Sequence, residues 1–116
     1  GIRIGKPASW NQAIEARDDS GGTIDAVTDA QILEAYAMVA STEGVFAEPA
    51  CAAPLAGLKK LAEAGYFAAF TDRPYTVTAT LTGHGLKDPD RAIKTAASGI
   101  VEVAGERGAI LREIGF

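Results

Sequence analysis

Thr82-Gly83-His84-Gly85 places a hydroxyl at the end of a β-branched run and follows it with flexible glycines at 83 and 85. A hydroxyl so placed can meet a flat heteroaromatic ring edge-on, and the glycines let the backbone approach without obstruction. A phosphate cradle is the weaker reading, because Gly83 and Gly85 lack a third glycine in register and no Walker pattern occurs. An ordinary glycine-rich strand-to-helix turn stays open. Glu48 stands before Pro49 near an expected helix start, so a structural charge at a helix N-terminus competes with a site carboxylate. His84 is the single histidine, which excludes a histidine-based metal cluster and leaves a turn or surface role as the default. Cys51 sits among alanines as a small packing thiol with no evident base to activate it. With no second cysteine it forms neither an intrachain disulfide nor a zinc site. Lys87-Asp88-Pro89-Asp90-Arg91 reads as a solvated helix entry.

The elements that must position these residues alternate in type. Gly1 to Gly5 reads as a strand already under way, and the absence of an initial methionine suggests a truncated chain, with tag removal as the alternative. Ser9 and Gln12 have capping-box spacing and open a helix carrying Trp10, Ala13 and Ile14, which stops within Asp18 to Gly22. Thr23 to Val27 is a short strand. Thr28 and Gln31 repeat the capping pattern before an amphipathic helix marked by Ile32, Tyr36, Val39 and Ala40. Glu43 to Pro49 turns the chain inward, and a third helix carries Leu55, Leu58 and Leu61 with Pro54 in its first turn. Gly65 to Pro74 is a loop. Tyr75 to Leu81 has the period-two pattern of a strand, with Tyr75, Val77, Ala79 and Leu81 on its apolar face. Asp88-Pro89 opens another helix, and a final strand at Ile100 to Val103 precedes a helix at Ile110 to Ile114. This alternation predicts α/β architecture with a largely parallel sheet. Ligands of such sheets collect beyond the carboxyl ends of strands, where Gly5-Lys6, Glu48 and Thr82 to His84 fall.

The chain has 116 residues, 47% hydrophobic and 22% charged, with net charge −4. That is one globular domain with a core, and its scattered charge offers no footprint for nucleic acid or an anionic membrane. Apolar stretches are too short to span a bilayer and no secretory pattern opens the chain, so a soluble cytoplasmic protein is expected.

Four segments, Ile2 to Trp10, Ala26 to Asp29, Glu43 to Ala50 and Leu81 to Pro89, resemble in content and order those of the threonine synthase family. The resemblance runs from Gly1 to about Ala92, and the tail from about 93 is less diagnostic. It implies the tryptophan-synthase-β-like fold of fold type II pyridoxal-phosphate enzymes, a three-layer domain with a largely parallel sheet. Residues 1–116 would form one domain, the C-terminal part of the large cofactor-binding domain. The resemblance further implies pyridoxal 5′-phosphate as cofactor, with Thr82 hydrogen-bonding the pyridine nitrogen, Glu48 near the ring and Gly1 against one ring face. The implied reaction converts O-phospho-L-homoserine and water to L-threonine and phosphate in a homodimeric enzyme. None of Lys6, Lys59, Lys60, Lys87 or Lys94 lies in a motif matching the family's cofactor-bearing lysine, so that lysine is expected upstream and the isolated chain is expected to be inactive. Lys6, Cys51 and Pro54 depart from the family's usual asparagine, serine and small polar residue. A threonine or serine dehydratase-like fragment and a non-catalytic interaction module are the competing readings.

Overall fold

The computed structural model describes residues 4–70, 74–96 and 101–115. Among these residues five α-helices follow one another: α1 (Trp10–Ser20), α2 (Asp29–Glu43), α3 (Ala53–Glu63), α4 (Pro89–Ala96) and α5 (Arg107–Glu113). Short 3-10 turns occupy Pro49–Ala52, Tyr66–Ala69 and Gly85–Lys87.

Local chemistry sets the helix ends. At α2, Thr28 is extended, its hydroxyl accepts the Gln31 N–H at 3.3 Å, and the Gln31 side chain accepts the Thr28 N–H at 2.8 Å. This reciprocal pair satisfies two donors that the first turn leaves without partners. Gly44 closes α2 in the left-handed conformation at φ 66°, where a side chain would be strained. Pro54 sits in the first turn of α3, as expected, where its missing N–H removes no helical bond. Ser9 has the same spacing to Gln12 but makes no side-chain cap. Its backbone, at φ −99° and ψ 34°, is outside the extended region from which an N-cap oxygen reaches back to the first turn.

The core lies between α2, the Pro49–Ala52 turn and α3. Ala35, Tyr36, Ala52 and Ala56 are buried together, with Val27, Ile32 and Leu55 packed against them. Three alanines let the two helices come close, and Tyr36 supplies most of the apolar bulk. The rim is ionic: Lys59 pairs with Glu34 on α2, and Lys60 reaches Asp25 at 2.6 Å and the Ala26 carbonyl at 3.0 Å. The bond from Lys60 holds the exposed Asp25 carboxyl below its ordinary pKa, and the Glu34 contact raises that of the exposed Lys59. Trp10 on α1 stays more than half exposed, and no α1 residue is buried.

The expected sheet does not form among the described residues. Residues 23–27, 75–81 and 101–103 are neither helical nor laddered; the one β-bridge joins Ala47 to His84, antiparallel. Gly1 to Arg3 and Ile100 lie outside the described residues. The reason is physical: a helix closes its hydrogen bonds within itself, whereas a strand needs another strand about 4.8 Å away. The would-be inward face is only partly covered: the Phe67 ring stacks on Tyr75 at 5.8 Å, and Tyr75 and Val77 both stay about half exposed. Accessible surface totals 9170 Å², against roughly 6,000 Å² for a compact monomer of this mass.

Candidate cofactor site

Two loops far apart in sequence meet at the bridge. The Glu48 N–H donates to the Gly83 carbonyl at 2.8 Å, and the Gly85 N–H donates to the Phe46 carbonyl at 3.0 Å. Both glycines are required by close approach. A Cβ on Gly83 would overlap the Glu48 carboxylate, and one on Gly85 would overlap the Phe46 ring. The Pro49–Ala52 turn then brings Cys51 round to the same side as Glu48, since the two are one helical turn apart and the Cys51 N–H donates to the Glu48 carbonyl at 2.9 Å.

The side chains form a small polar cluster. Cys51 Sγ, buried, lies 3.1 Å from Thr82 Oγ1 across 31 residues of sequence, with Glu48 Oε2 at 3.9 Å from the sulfur. Lys87 Nζ approaches the same Glu48 oxygen at 3.8 Å from the solvent side. Thr82 is exposed as a residue, and its hydroxyl is the atom that meets the buried thiol. His84 serves the turn: its Nδ1 accepts the Leu86 N–H at 3.2 Å, and its ring meets Phe46 edge-on at 5.4 Å. That agrees with the default reading of a lone histidine.

Of the residues singled out from sequence, the structure brings Glu48 and Thr82 together, while Lys6 lies in a separate hollow with Pro7 and Trp10. Gly1 lies outside the described residues. Sequence reasoning did not connect Cys51 with Thr82 or Lys87 with Glu48. Three-residue spacing from Glu48 through a proline-opened turn could have put Cys51 on the carboxylate's face. Its meeting with Thr82, like that of Lys87 with Glu48, needed the bridge. Among the described residues no group of three His, Cys, Asp or Glu side chains is arranged to hold a metal, and no helix is long and apolar enough to cross a membrane. The larger hollows lie elsewhere; one of about 590 Å³ between α2 and α4 is lined by Tyr36, Ala40, Phe46 and Ile93.

Similarity to known proteins gives this cluster a chemical context. Residues 1–83 match the family described as pyridoxal-phosphate dependent enzyme. The threonine synthase of Mycobacterium leprae is 48% identical over 99% of this chain and 31% of its own length. That of a Bacillus species (strain ULM1) is 50% identical over 90% of the chain and 29% of its own length. That of Methanocaldococcus jannaschii is 48% identical over 82% and 22%. The chain thus spans no more than about a third of the length of these curated relatives.

The donor set fits the edge of a pyridine ring. It offers a hydroxyl on an exposed residue, glycines at 83 and 85, and a carboxylate lying against Gly83. The fit stops there. Among the described residues the one cation in this cluster, Lys87, already faces Glu48, so the cofactor's phosphate has no evident anchor here. A neutral edge contact without a phosphate cradle is what a portion of a larger site presents, and the matched pattern covers most of the sequence: this chain belongs to the pyridoxal-phosphate dependent enzyme family.

Proposed function

We propose that this chain works as part of a threonine synthase, which converts O-phospho-L-homoserine and water to L-threonine and phosphate. The observation that carries the reading is the identity of about half the residues to enzymes of that name along nearly the whole chain. Bound pyridoxal phosphate would supply the electron sink for carbanion chemistry. This chain's share is to orient it. Thr82 donates its hydroxyl to the ring nitrogen and so holds that nitrogen unprotonated, because a hydroxyl can donate where a carboxylate would instead stabilise the protonated form. Glu48 lies beside the ring without claiming the nitrogen, held back by its fit against Gly83 and by Lys87. Gly1, as the family resemblance implies, would back one ring face. The lysine that carries the cofactor and the groups that hold its phosphate belong to other parts of the enzyme.

The fold reading extends in the same way. Residues 23–27, 75–81 and 101–103 become strands of a largely parallel, three-layer sheet when strands from elsewhere in the enzyme supply their partners. Residues 1–116 then form the later part of its large cofactor-binding domain. The exposed apolar faces at Tyr75, Val77 and Val101 support this, since water is a poor neighbour for such a face. The working enzyme is a cytoplasmic homodimer.

Phosphate release from O-phospho-L-homoserine tests the reading, measured for the complete enzyme carrying this chain and for the chain alone, each with pyridoxal phosphate. Release by the complete enzyme only is expected. Turnover by the short chain would place the cofactor-bearing lysine within it, and silence in both would overturn the threonine synthase reading.

A further inference from the structure

Cys51 and Thr82 approach closely beside the bridge that joins their two loops, and the direction of the hydrogen bond between them has a chemical consequence. A thiol has one proton. If the hydroxyl gave its proton to sulfur, Thr82 would face outward as an acceptor alone. If the thiol donates to Oγ1, the hydroxyl proton is free to point outward. The 3.1 Å separation permits either direction.

The surroundings choose between them. Glu48 Oε2 is the competing acceptor for the thiol proton, but it stands at 3.9 Å, and it is the same oxygen that Lys87 approaches at 3.8 Å. Lys87 is thus a cationic neighbour drawing on that distant oxygen, and Thr82 Oγ1 at 3.1 Å is much the nearer acceptor for the thiol. Cys51 is buried, so water does not compete for it. Its own N–H is already committed to the Glu48 carbonyl, which fixes the residue within the Pro49–Ala52 turn.

We propose that Cys51 is a positioning residue: its thiol donates to Thr82 Oγ1, which turns the Thr82 hydroxyl proton outward so that it can be given to an unprotonated ring nitrogen. This rests on the reading of Thr82 given above. Lys87 acts one step further out, by occupying Glu48. The role needs a donor at position 51, and serine would fill it while alanine or valine would not.

The test uses the complete enzyme carrying this chain, loaded with pyridoxal phosphate labelled with ¹⁵N at the ring, and reads the ring-nitrogen resonance and the dissociation constant of the cofactor. Cys51→Ser should leave both at the wild-type values. Cys51→Ala and Cys51→Val should shift the resonance and weaken cofactor binding about fivefold, the loss of one neutral hydrogen bond. Two apolar variants of different volume separate loss of the donor from a packing effect, which would move them in opposite directions or move only one. Unchanged resonance and affinity in both would overturn the role of Cys51. Thr82→Val tells the two readings apart. If it shifts the resonance while the Cys51 variants do not, only the present inference falls; if it too is silent, the assignment of Thr82 falls, and this inference with it.

Discussion

The α2 to α3 unit and the Tyr75 to Leu81 segment have comparable apolar content and opposite fates. In the first, Tyr36 is 4% exposed and Ala52 fully buried; in the second, Tyr75 is 53% exposed. What separates them is where each finds its hydrogen bonds. Helices α2 and α3 complete theirs internally and then need only lay one face on the other. The 75–81 segment has sides to pair as well as a face to cover; among the described residues its backbone finds no strand partner, and Phe67 and Phe70 meet that face only at the Tyr75 ring. Apolar pattern alone does not bury a residue; it does so only once the backbone carrying it has been satisfied.

The widest test of this contrast is a matched pair of truncations. Tyr36→Ala should destabilise the chain by about 3–5 kcal/mol in urea unfolding, as emptying a core aromatic site does. Val77→Ala in the isolated chain should stay within about 0.5 kcal/mol, as at exposed positions. An equal cost at both would mean the segment is packed after all. Next comes Gly85→Ala, whose methyl would meet the Phe46 ring. Displacing that ring should cost about 1–3 kcal/mol, the usual penalty for overpacking, and should weaken the bridge that carries Thr82. Thr28→Ala should cost about 1 kcal/mol by removing the cap of α2. Ser9→Ala, with the same sequence spacing but no cap bond, should cost almost nothing.

The smallest effect is electrostatic. The Asp25 carboxyl is held below its ordinary pKa by the bond from Lys60. Its contribution is therefore present above the unfolded carboxyl pKa, about 3.9, and is lost as pH falls through the lower folded value. Being exposed, it should be slight and screened by salt. Lys60→Met should flatten that shallow acid limb of the stability curve, and a limb unchanged by the substitution would remove Asp25 as its source.

These same pairs show how much was legible in the sequence. Thr28 and Gln31 announced a real capping box, while Ser9 and Gln12 matched the letters and failed on backbone angle, which spacing does not encode. Helices α2 and α3 were readable because their periodicity and their hydrogen bonds lie in one stretch of chain. The strands were readable only as a tendency, since their partners are set by tertiary pairing. The site shows both limits. Thr82 and Glu48 could be singled out by type and position, and the Glu48 to Cys51 spacing held a clue to the thiol. The approach of Lys87 depended on a bridge between loops that no local pattern foretold.

That bridge has an energetic side. Drawing together loops separated by 31 residues costs about 3 kcal/mol of chain entropy, beyond a length-independent constant. Two backbone hydrogen bonds return about 1–3 kcal/mol, so the junction is close to balance by itself. A ligand seated across both loops would bind only the closed form and stabilise it by mass action. The population with Thr82 in place should then rise with ligand concentration, making the cofactor a contributor to the architecture of the site that receives it.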